Sequence, residues 1–534
     1  MLLLSASRIH TLDRRQPFTD ALLISEGKIL DWGDPERLRR DYPRARSEHL
    51  EKAVILPGLT DAHLHLRHYA LSLQKVACET PTLAACLERI RQRAARTPPG
   101  TWILGHGWNQ NLWPDLPAGG WPDADMLEAA AEGRPAYLTA KSLHAGWANR
   151  AALRAAGITA STPEPQGGRI GRDSRGQPDG ILFEAAMGLM EAALPAPTSE
   201  DIVRAVQEAQ TRLWALGLTG LHDFDRRESF IALQTLHQRG DLRLRVLKNL
   251  PVEMLDEVLA VGLRSGFGDD VLRIGGIKAF ADGALGPRTA AMFAPYEGEA
   301  ENRGLALLDA EEIYEFGRKA VRGGLALTIH AIGDRANHEV LEAYQRLRTL
   351  EREAVPPLST RGPLRHRIEH VQVLHPADVS RLGELGVVAS MQPIHALSDM
   401  ETADRYWGER ARLSYAWRTQ VEAGARLAFG SDAPVESPNP FWGLHAALTR
   451  RRPDGYPEDG WYPAERLTLW EALHAYTTGP AWAAGMEDRL GQLRPGFLAD
   501  LIVLEQDPFA LPPDALRGLH PRRVMVGGEW VWAA

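Results

Sequence analysis

The sequence predicts an α/β protein whose main body is a (β/α)8 barrel. Two observations lead to this prediction: short apolar segments alternate with helical stretches, and polar residues recur where these segments end. The candidate strands are residues 53–57, 218–223, 242–248, 272–280, 325–330, 366–370, 387–391 and 426–431. A doubly wound sheet has the same local pattern. The polar strand ends favour the barrel, because the carboxyl ends of barrel strands meet at one mouth.

The two ends of the chain resemble each other and differ from the middle. Residues 20–33 are predicted as two strands around a Glu26–Gly27 turn, and residues 496–507 and 522–532 supply strands near the other end. Neither end has enough strands to bury a sheet face alone, so we expect both to form one small β-sandwich. The expected limits are 1–56 plus 490–534 for the sandwich and 57–489 for the barrel.

An insertion is expected between the first and second barrel strands. The gap there is far longer than a usual connection, so residues 67–200 are predicted to form an inserted subdomain. At the barrel mouth such a subdomain is well placed to act as a lid. Trp108 and Trp113 within it are candidates for the wall of an apolar substrate pocket, with packing in the core of the insertion as the alternative.

Composition excludes several classes of function. The 534 residues carry a net charge of −8 without a basic cluster, which argues against nucleic-acid binding. No apolar run reaches the roughly 18 residues of a membrane span, and the start of the chain lacks the features of a signal peptide. Cys78 and Cys86 are predicted in one helix, too far apart for a disulfide. We therefore expect a cytoplasmic protein.

Two histidines follow the first candidate strand in the segment LPGLTDAHLHL. Residues two apart on an extended strand point to the same side, so His63 and His65 can reach one metal ion. Alone, the pair is weak evidence, and two ordinary surface or core histidines are the simpler interpretation. The apolar strand and the Pro57–Gly58 step that lead into it favour a site.

Three further candidates for metal binding lie at other strand ends. His330 and His370 each end an apolar strand, and Asp432 follows the strand RLAFGS. Singly, each histidine is compatible with core packing and Asp432 with a helix N-cap. Together with the first histidine pair they are hard to explain by packing, and they indicate a metal site with Asp432 as a candidate general base.

Lys278 also lies near a strand end, where a buried ammonium needs a partner. Asp282 is a candidate for an ion pair with it. The alternative is that CO2 has carboxylated the amine to a carbamate whose two oxygens bridge two cations. Lysines whose pKa is lowered by burial are the ones able to react in this way.

These features resemble the amidohydrolase superfamily, and within it the amidohydrolase-3 branch of YtcJ-like proteins and N-substituted formamide deformylases. The strand-end order is His-x-His, Lys, His, His, Asp. The similar segments span nearly the whole chain, and only residues 297–304 are looser than the family pattern. They are residues 57–66, 143–158, 167–186, 277–290, 329–344, 366–373, 390–393, 430–450 and 491–504.

The resemblance implies a (β/α)8 barrel with a terminal β-sandwich and a site for one or two divalent cations. In the family's pattern His63, His65 and Asp432 hold one cation, and His330 and His370 hold the second. Zinc suits these ligands, with Fe, Mn, Ni and Co as alternatives. Lys278 would bridge the two cations as N6-carboxylysine.

The implied reaction is hydrolysis of an amide-type C–N bond in a small molecule, such as an N-substituted formamide or an N-acyl amine. Metal-activated water would attack, and Asp432 would accept its proton. His222 and Asp223 on the second strand are candidates for supporting the ligands or for plain packing. His144 and Arg288 are candidates for substrate contact, with lid packing and a surface ion pair as the alternatives.

Other functions remain open on the same scaffold. They are deamination, ester or cyclic amide hydrolysis, and a catalytically silent binding or regulatory role. A carbohydrate-active barrel is disfavoured, because it needs paired carboxylates where this chain has histidines. The expected partner is a small-molecule amide, with no nucleic acid and no membrane, and a homodimer is the expected assembly.

Overall fold

The computed structural model describes residues 1–116, 120–141, 144–354 and 362–534. The chain divides into two compact units. The barrel unit consists of Met1–Tyr69 and Val206–Ala534, and the inserted unit consists of Ala70–Ala205.

Eight parallel strands form the sheet of the barrel unit, and each pairs with its neighbours in chain order. The ends of the sheet meet, because Asp432 N donates to His63 O at 2.7 Å and His65 N donates to Ala433 O at 2.9 Å. The predicted barrel is therefore confirmed. Its strands are β1 (Leu59–Leu64), β2 (Leu218–Asp223), β3 (Arg245–Pro251), β4 (Leu272–Phe280), β5 (Leu327–Ala331), β6 (Arg367–His370), β7 (Val388–Met391) and β8 (Arg426–Phe429).

The prediction for the first barrel strand was wrong. Residues 53–57 end a strand of the terminal sheet, Arg46–Pro57, and β1 begins only at Leu59. The chain passes from one sheet to the other at Gly58, where a Cβ atom would lie 2.2 Å from Thr219 Oγ1. β1 escaped notice because its polar residues are buried with tertiary partners, which an apolar pattern does not reveal.

Amphipathic helices connect most of the barrel strands. The helix Ala310–Arg322 begins with a capping box of Asp309 and Glu312 and buries Ile313, Gly317, Ala320 and Val321, which lie on one face. None of the helices in the described residues is long and apolar enough to cross a membrane. The other α-helices assigned to or entering the barrel unit are Pro35–Asp41, Leu66–Ser72, Ser199–Ala215, Arg227–Arg239, Leu255–Ala260, Asp334–Glu353, Arg381–Leu385, Pro393–Trp407, Trp417–Glu422, Pro440–Thr449, Leu469–Ala475 and Thr478–Ala483.

Both ends of the chain contribute to one seven-stranded sheet. Its hairpins turn at Glu26–Gly27 and at Gly527–Gly528, where all four residues have positive φ, as type I′ turns require. The two-layer sandwich and the domain limits stay predictions. In spatial order the strands are Glu529–Ala533, Arg523–Val526, Leu501–Leu504, Arg46–Pro57, Leu2–His10, Phe18–Ser25 and Lys28–Gly33.

The inserted unit has its own six-stranded sheet and its own core. Thr82 caps the helix Leu83–Ala94, which therefore contains Cys86 but not Cys78. The prediction of one helix for both cysteines was wrong, although both are free thiols and buried. The other helices are Ala124–Ala131, Arg150–Ala155 and Met187–Glu191; the strands, in spatial order, are Gly168–Arg172, Pro178–Glu184, Ala145–Ala148, Ala136–Ala140, Ile103–Trp108 and Val76–Ala77.

Candidate metal centre

Three of the predicted ligands meet where β1 and β8 end. Asp432 Oδ1 lies 3.5 Å from His63 Nε2 and 3.3 Å from His65 Nε2. One ligand atom from each of the three residues lies within 4.8 Å of the other two. These residues are therefore arranged to bind one cation together.

The other ring nitrogen of each of these histidines donates to a buried carboxylate. His63 Nδ1 donates to Glu369 Oε2 at 2.6 Å, and His65 Nδ1 donates to Asp225 Oδ1 at 3.1 Å. A carboxylate only accepts, so Nδ1 carries a hydrogen in each ring and Nε2 is the nitrogen that can bind a metal. Glu369 and Asp225 were not identified from the sequence. Glu369 directly precedes His370, and Asp225 lies two residues after Asp223, so both are close to residues that were identified.

His330 and His370 lie beside this group, with ring centroids 4.6 Å apart. His370 Nδ1 donates to Gln392 Oε1 at 2.8 Å, and His330 Nε2 donates to Gly283 O at 2.9 Å. In the described part of the chain, His370 forms a three-residue group with His395 and Asp432, and His330 belongs to no such group. The ring nitrogens of His330 therefore lie farther from other candidate ligand atoms than expected for the second cation site that the sequence predicts.

His395 is a site residue that sequence reasoning missed. It lies in the first turn of the helix Pro393–Trp407, directly after β7, and its Nε2 is 3.3 Å from Ser431 O. His330 and His370 were identified because each histidine stands at a strand end. A search that also includes the first turn of the helix after each strand would identify His395, which follows β7.

Lys278 is buried on β4 between two aromatic rings. Its Nζ lies 5.0 Å from the centroid of Phe224 and 4.7 Å from that of Phe280. Within the described residues it has no hydrogen bond or ion pair. The alternative partner, Asp282, instead accepts from three backbone N–H groups. Burial lowers the pKa of Lys278 to about 8.

Burial keeps two of the histidines uncharged. It lowers the pKa of His63 to about 4 and that of His330 to about 3. Neutral imidazole is the form that binds a metal. Each of the four strand-end histidines also has one ring nitrogen engaged and the other left over. This is the usual arrangement around a metal ion, so the donor set fits a divalent cation.

The backbone of the site is held in an unusual conformation. His370, Val371 and Asp432 have φ values of 77°, 43° and 60°, which are uncommon for residues other than glycine. Asp61 accepts from the backbone N–H groups of His63 and Ser431, both at 3.0 Å, and so ties the end of β1 to the segment that carries Asp432.

The remaining candidates of the barrel unit have structural partners. His222 Nδ1 accepts from Arg367 Nη1 at 2.7 Å, and Asp223 accepts from Lys248 Nζ at 2.7 Å. Arg288 forms an ion pair with Glu299. The structure gathers none of the three candidates into a metal-binding group of the described residues. Their functional roles stay predictions.

The candidates in the inserted unit lie partly in its core. Trp108 and Trp113 are buried with ring centroids 6.1 Å apart, and their indole N–H groups donate to backbone carbonyls. Both side chains therefore pack in the core of the inserted unit, which the sequence left open as the alternative to a substrate pocket. His144 is exposed and forms an ion pair with Glu184 at 3.0 Å. Substrate contact by these residues stays a prediction.

A parallel barrel with histidines and an aspartate gathered at its strand ends has the architecture of a metal-dependent enzyme, because barrel active sites lie at this end and these side chains bind divalent cations. The model of the amidohydrolase family matches residues 49–532. The chain therefore belongs to the amidohydrolase family, and it is a metal-dependent hydrolase of that superfamily.

Known proteins similar over nearly their full length support this assignment. The putative amidohydrolase YtcJ of Bacillus subtilis is 32% identical over 98% of both chains. The N-substituted formamide deformylase of Arthrobacter pascens is 29% identical over 99% of this chain and 97% of that protein. An uncharacterised metal-dependent hydrolase from Pyrococcus furiosus has a TM-score of 0.75 and 27% identity, covering 95% of this chain and 100% of that one.

Proposed function

We propose that the protein hydrolyses the C–N bond of a small amide, of the N-substituted formamide or N-acyl amine class. The observation that carries the proposal is the convergence of His63, His65 and Asp432 within 4.8 Å. Similarity to an N-substituted formamide deformylase over nearly the whole chain supports this choice of bond.

Asp432 is the proposed general base. Its carboxylate lies beside both Nε2 atoms of the histidine pair, where it can take a proton from water and later return it to the departing amine. A divalent cation at this place, zinc in our proposal, supplies water whose pKa is lowered to about 7 and polarises the substrate carbonyl. His63, whose pKa burial lowers to about 4, can hold the cation without adding positive charge. Burial also acts to lower the pKa of His65, but hydrogen bonds to Asp225 and Asp432 outweigh burial and raise that pKa to about 9, so His65 must give up its second proton when a cation binds.

Lys278 is proposed to carry a carbamate. Its neutral amine forms a C–N bond to the carbon of CO2 and releases one proton to solvent, which gives an anion. Counted from the ammonium form, two protons leave and a cation becomes an anion. Two features support this: the described residues give Nζ no ion-pair partner, and burial lowers the pKa of Lys278 to about 8, so that free amine is present at neutral pH. An unmodified ammonium would repel the cations.

The test combines elemental analysis with a substrate panel of N-formyl amines, N-acyl amines, cyclic amides, esters and amino-substituted heterocycles. We expect bound divalent metal and turnover of at least one amide. The variants Asp432→Asn and Lys278→Ala should lose it. Full activity in both variants would refute the proposed roles of Asp432 and Lys278 in the site. Ammonia release from a heterocycle, ester cleavage, or metal binding without any turnover would select one of the alternative functions.

Contact residues and assembly belong to the same proposal. His144 and Arg288 are proposed to contact the substrate, so their alanine variants should raise KM more than they lower kcat. The homodimer is tested by light scattering of the purified protein.

A further inference from the structure

The four strand-end histidines differ in what supports them. His63 and His65 each donate from Nδ1 to a carboxylate, Glu369 at 2.6 Å and Asp225 at 3.1 Å. His370 donates to the neutral amide oxygen of Gln392. His330 Nε2 donates to the backbone carbonyl of Gly283 at 2.9 Å, and Asp282 Oδ1 lies farther away, at 3.5 Å. Among the four, carboxylates that accept a hydrogen bond from the ring are thus confined to His63 and His65.

A carboxylate behind a ligand histidine strengthens metal binding for two reasons. The charge-assisted hydrogen bond is stronger than a neutral one and holds the ring in place. It also raises the electron density at the opposite nitrogen, and loss of such support lowers metal affinity by about 10–100-fold. Neutral acceptors orient the ring but add no charge.

The support behind His63 is built into the core of the barrel. Glu369 is completely buried, and Arg367, two residues earlier on β6, pairs with both of its oxygens. Arg367 also donates to Ala62 O and Ser390 Oγ, both at 2.6 Å. A buried ion pair is expensive unless all its groups are bonded, so such a connected pair holds Glu369 in one position.

Asp225 is held in a comparable way behind His65. It accepts from the backbone N–H groups of Arg67 at 2.6 Å and His68 at 3.1 Å, and from His68 Nδ1 at 2.5 Å. Both carboxylates are thus fixed by donors other than the ligand histidines. The ring of His63 is further restrained by stacking on Phe224, with centroids 4.0 Å apart.

The opposite side of the site lacks this support. The group of His370, His395 and Asp432 has the Gln392 amide behind one histidine and the Ser431 carbonyl, at 3.3 Å, near the other. His330 joins no three-residue group among the described residues. In neither arrangement does a carboxylate accept a hydrogen bond from the histidine: Asp282 Oδ1 lies 3.5 Å from His330 Nε2, and its carboxylate accepts from three backbone N–H groups instead.

We propose that the two sides bind cations with unequal affinity. The first cation binds between His63, His65 and Asp432, and a second cation on the His370 side binds at least about tenfold more weakly, because only on the first side do carboxylates accept hydrogen bonds from the ligand histidines. This inference rests on the proposed metal site and adds the order in which it is filled.

The test is a titration of the chelator-stripped protein with Co²⁺ in competition with a chromophoric chelator. Wild type should bind in two steps. Glu369→Gln should weaken the tighter step about 10–100-fold, since the amide oxygen can still accept from His63 but the negative charge is lost and an NH2 group faces Arg367 Nε. Gln392→Glu should tighten the weaker step about tenfold. The visible spectrum of the first Co²⁺ should change in Glu369→Gln and stay unchanged in Gln392→Glu.

A matched control exists elsewhere in the barrel unit. Glu351 accepts from Arg348 Nη1 at 3.0 Å and from His366 Nε2 at 2.9 Å, which is another Arg–Glu–His cluster without a candidate ligand. Glu351→Gln should leave both binding steps unchanged. If Glu369→Gln does not fold by circular dichroism, Arg367→Met/Glu369→Gln removes the unpaired cation and takes its place.

Equal affinities in wild type overturn the inference. So does a tighter step that Glu369→Gln leaves within threefold of wild type, or that Glu351→Gln weakens equally. If wild type instead shows a single binding step, which Glu369→Gln weakens and Gln392→Glu does not change, the result supports the inference, because the second step then lies beyond the titration range. A protein that binds in two unequal steps but turns over no substrate refutes only the proposed function, whereas an active enzyme with equal steps refutes only this inference.

Discussion

Arg367 lies in the middle of the barrel, and replacing it with methionine tests how the polar core is balanced. The side chain is almost completely buried and donates to Glu369, to His222 Nδ1, to Ala62 O and to Ser390 Oγ. Methionine fills much of the volume but leaves the Glu369 carboxylate without its cation. Removing one partner of a buried ion pair costs about 3–5 kcal/mol of unfolding free energy, and we expect Arg367→Met to fall in that range.

The measurement is urea unfolding in excess chelator, followed by circular dichroism, so that metal binding does not contribute. Arg367→Met/Glu369→Leu removes both charges and serves as the matched variant. It should be more stable than Arg367→Met by at least about 1 kcal/mol, since no isolated charge is left buried. The explanation would be refuted if the unfolding free energy of Arg367→Met lay within about 1 kcal/mol of the wild-type value. It would also be refuted if Arg367→Met/Glu369→Leu were less stable than Arg367→Met.

Four further outcomes are expected. Dialysis against a chelator should abolish hydrolysis and added Zn²⁺ should restore it; substantial turnover by metal-free protein would contradict the proposed chemistry. Asp432→Asn should lower kcat about 10²–10⁴-fold with the fold intact, because a general base is lost; steady-state kinetics and circular dichroism check this. Gly430→Ala should weaken metal binding, since its Cβ would lie 2.4 Å from His63 N; isothermal titration measures it, and wild-type affinity would count against the close packing. Trp147→Ala should destabilise the inserted unit by about 3–5 kcal/mol, because the indole is fully buried in its core; limited proteolysis should then cut within residues 70–205 first, and cleavage elsewhere would disagree.

The barrel strands show where sequence patterns succeed. β4 has the predicted limits, 272–280, because its long apolar stretch is covered on both faces. β1 was misplaced because Thr60, Asp61 and His63 interrupt its pattern, although all three are buried. Asp61 is satisfied by Ser431, which is 370 positions away along the chain, and no local pattern contains that information.

The candidate site divides along the same line. The residue types and their strand-end positions are local properties, so His63, His65, His330, His370 and Asp432 could be named from the sequence. The distances among their ligand atoms were not accessible, and neither was the place of His395. The support of Glu369 for His63 joins positions 306 residues apart.

The sequence by itself therefore determined the class of fold, the family, and five of the histidine and aspartate side chains at the barrel mouth, because strand periodicity and motif order act over a few neighbouring residues. Only the tertiary structure decided which group accepts a hydrogen bond from each of these histidines. It made carboxylates the hydrogen-bond acceptors of His63 and His65, and neutral groups the hydrogen-bond acceptors of His330 and His370. The physical reason is that closing the barrel brings the ends of distant strands within hydrogen-bonding distance, and the basicity and orientation of each imidazole depend on the group that closure sets against it.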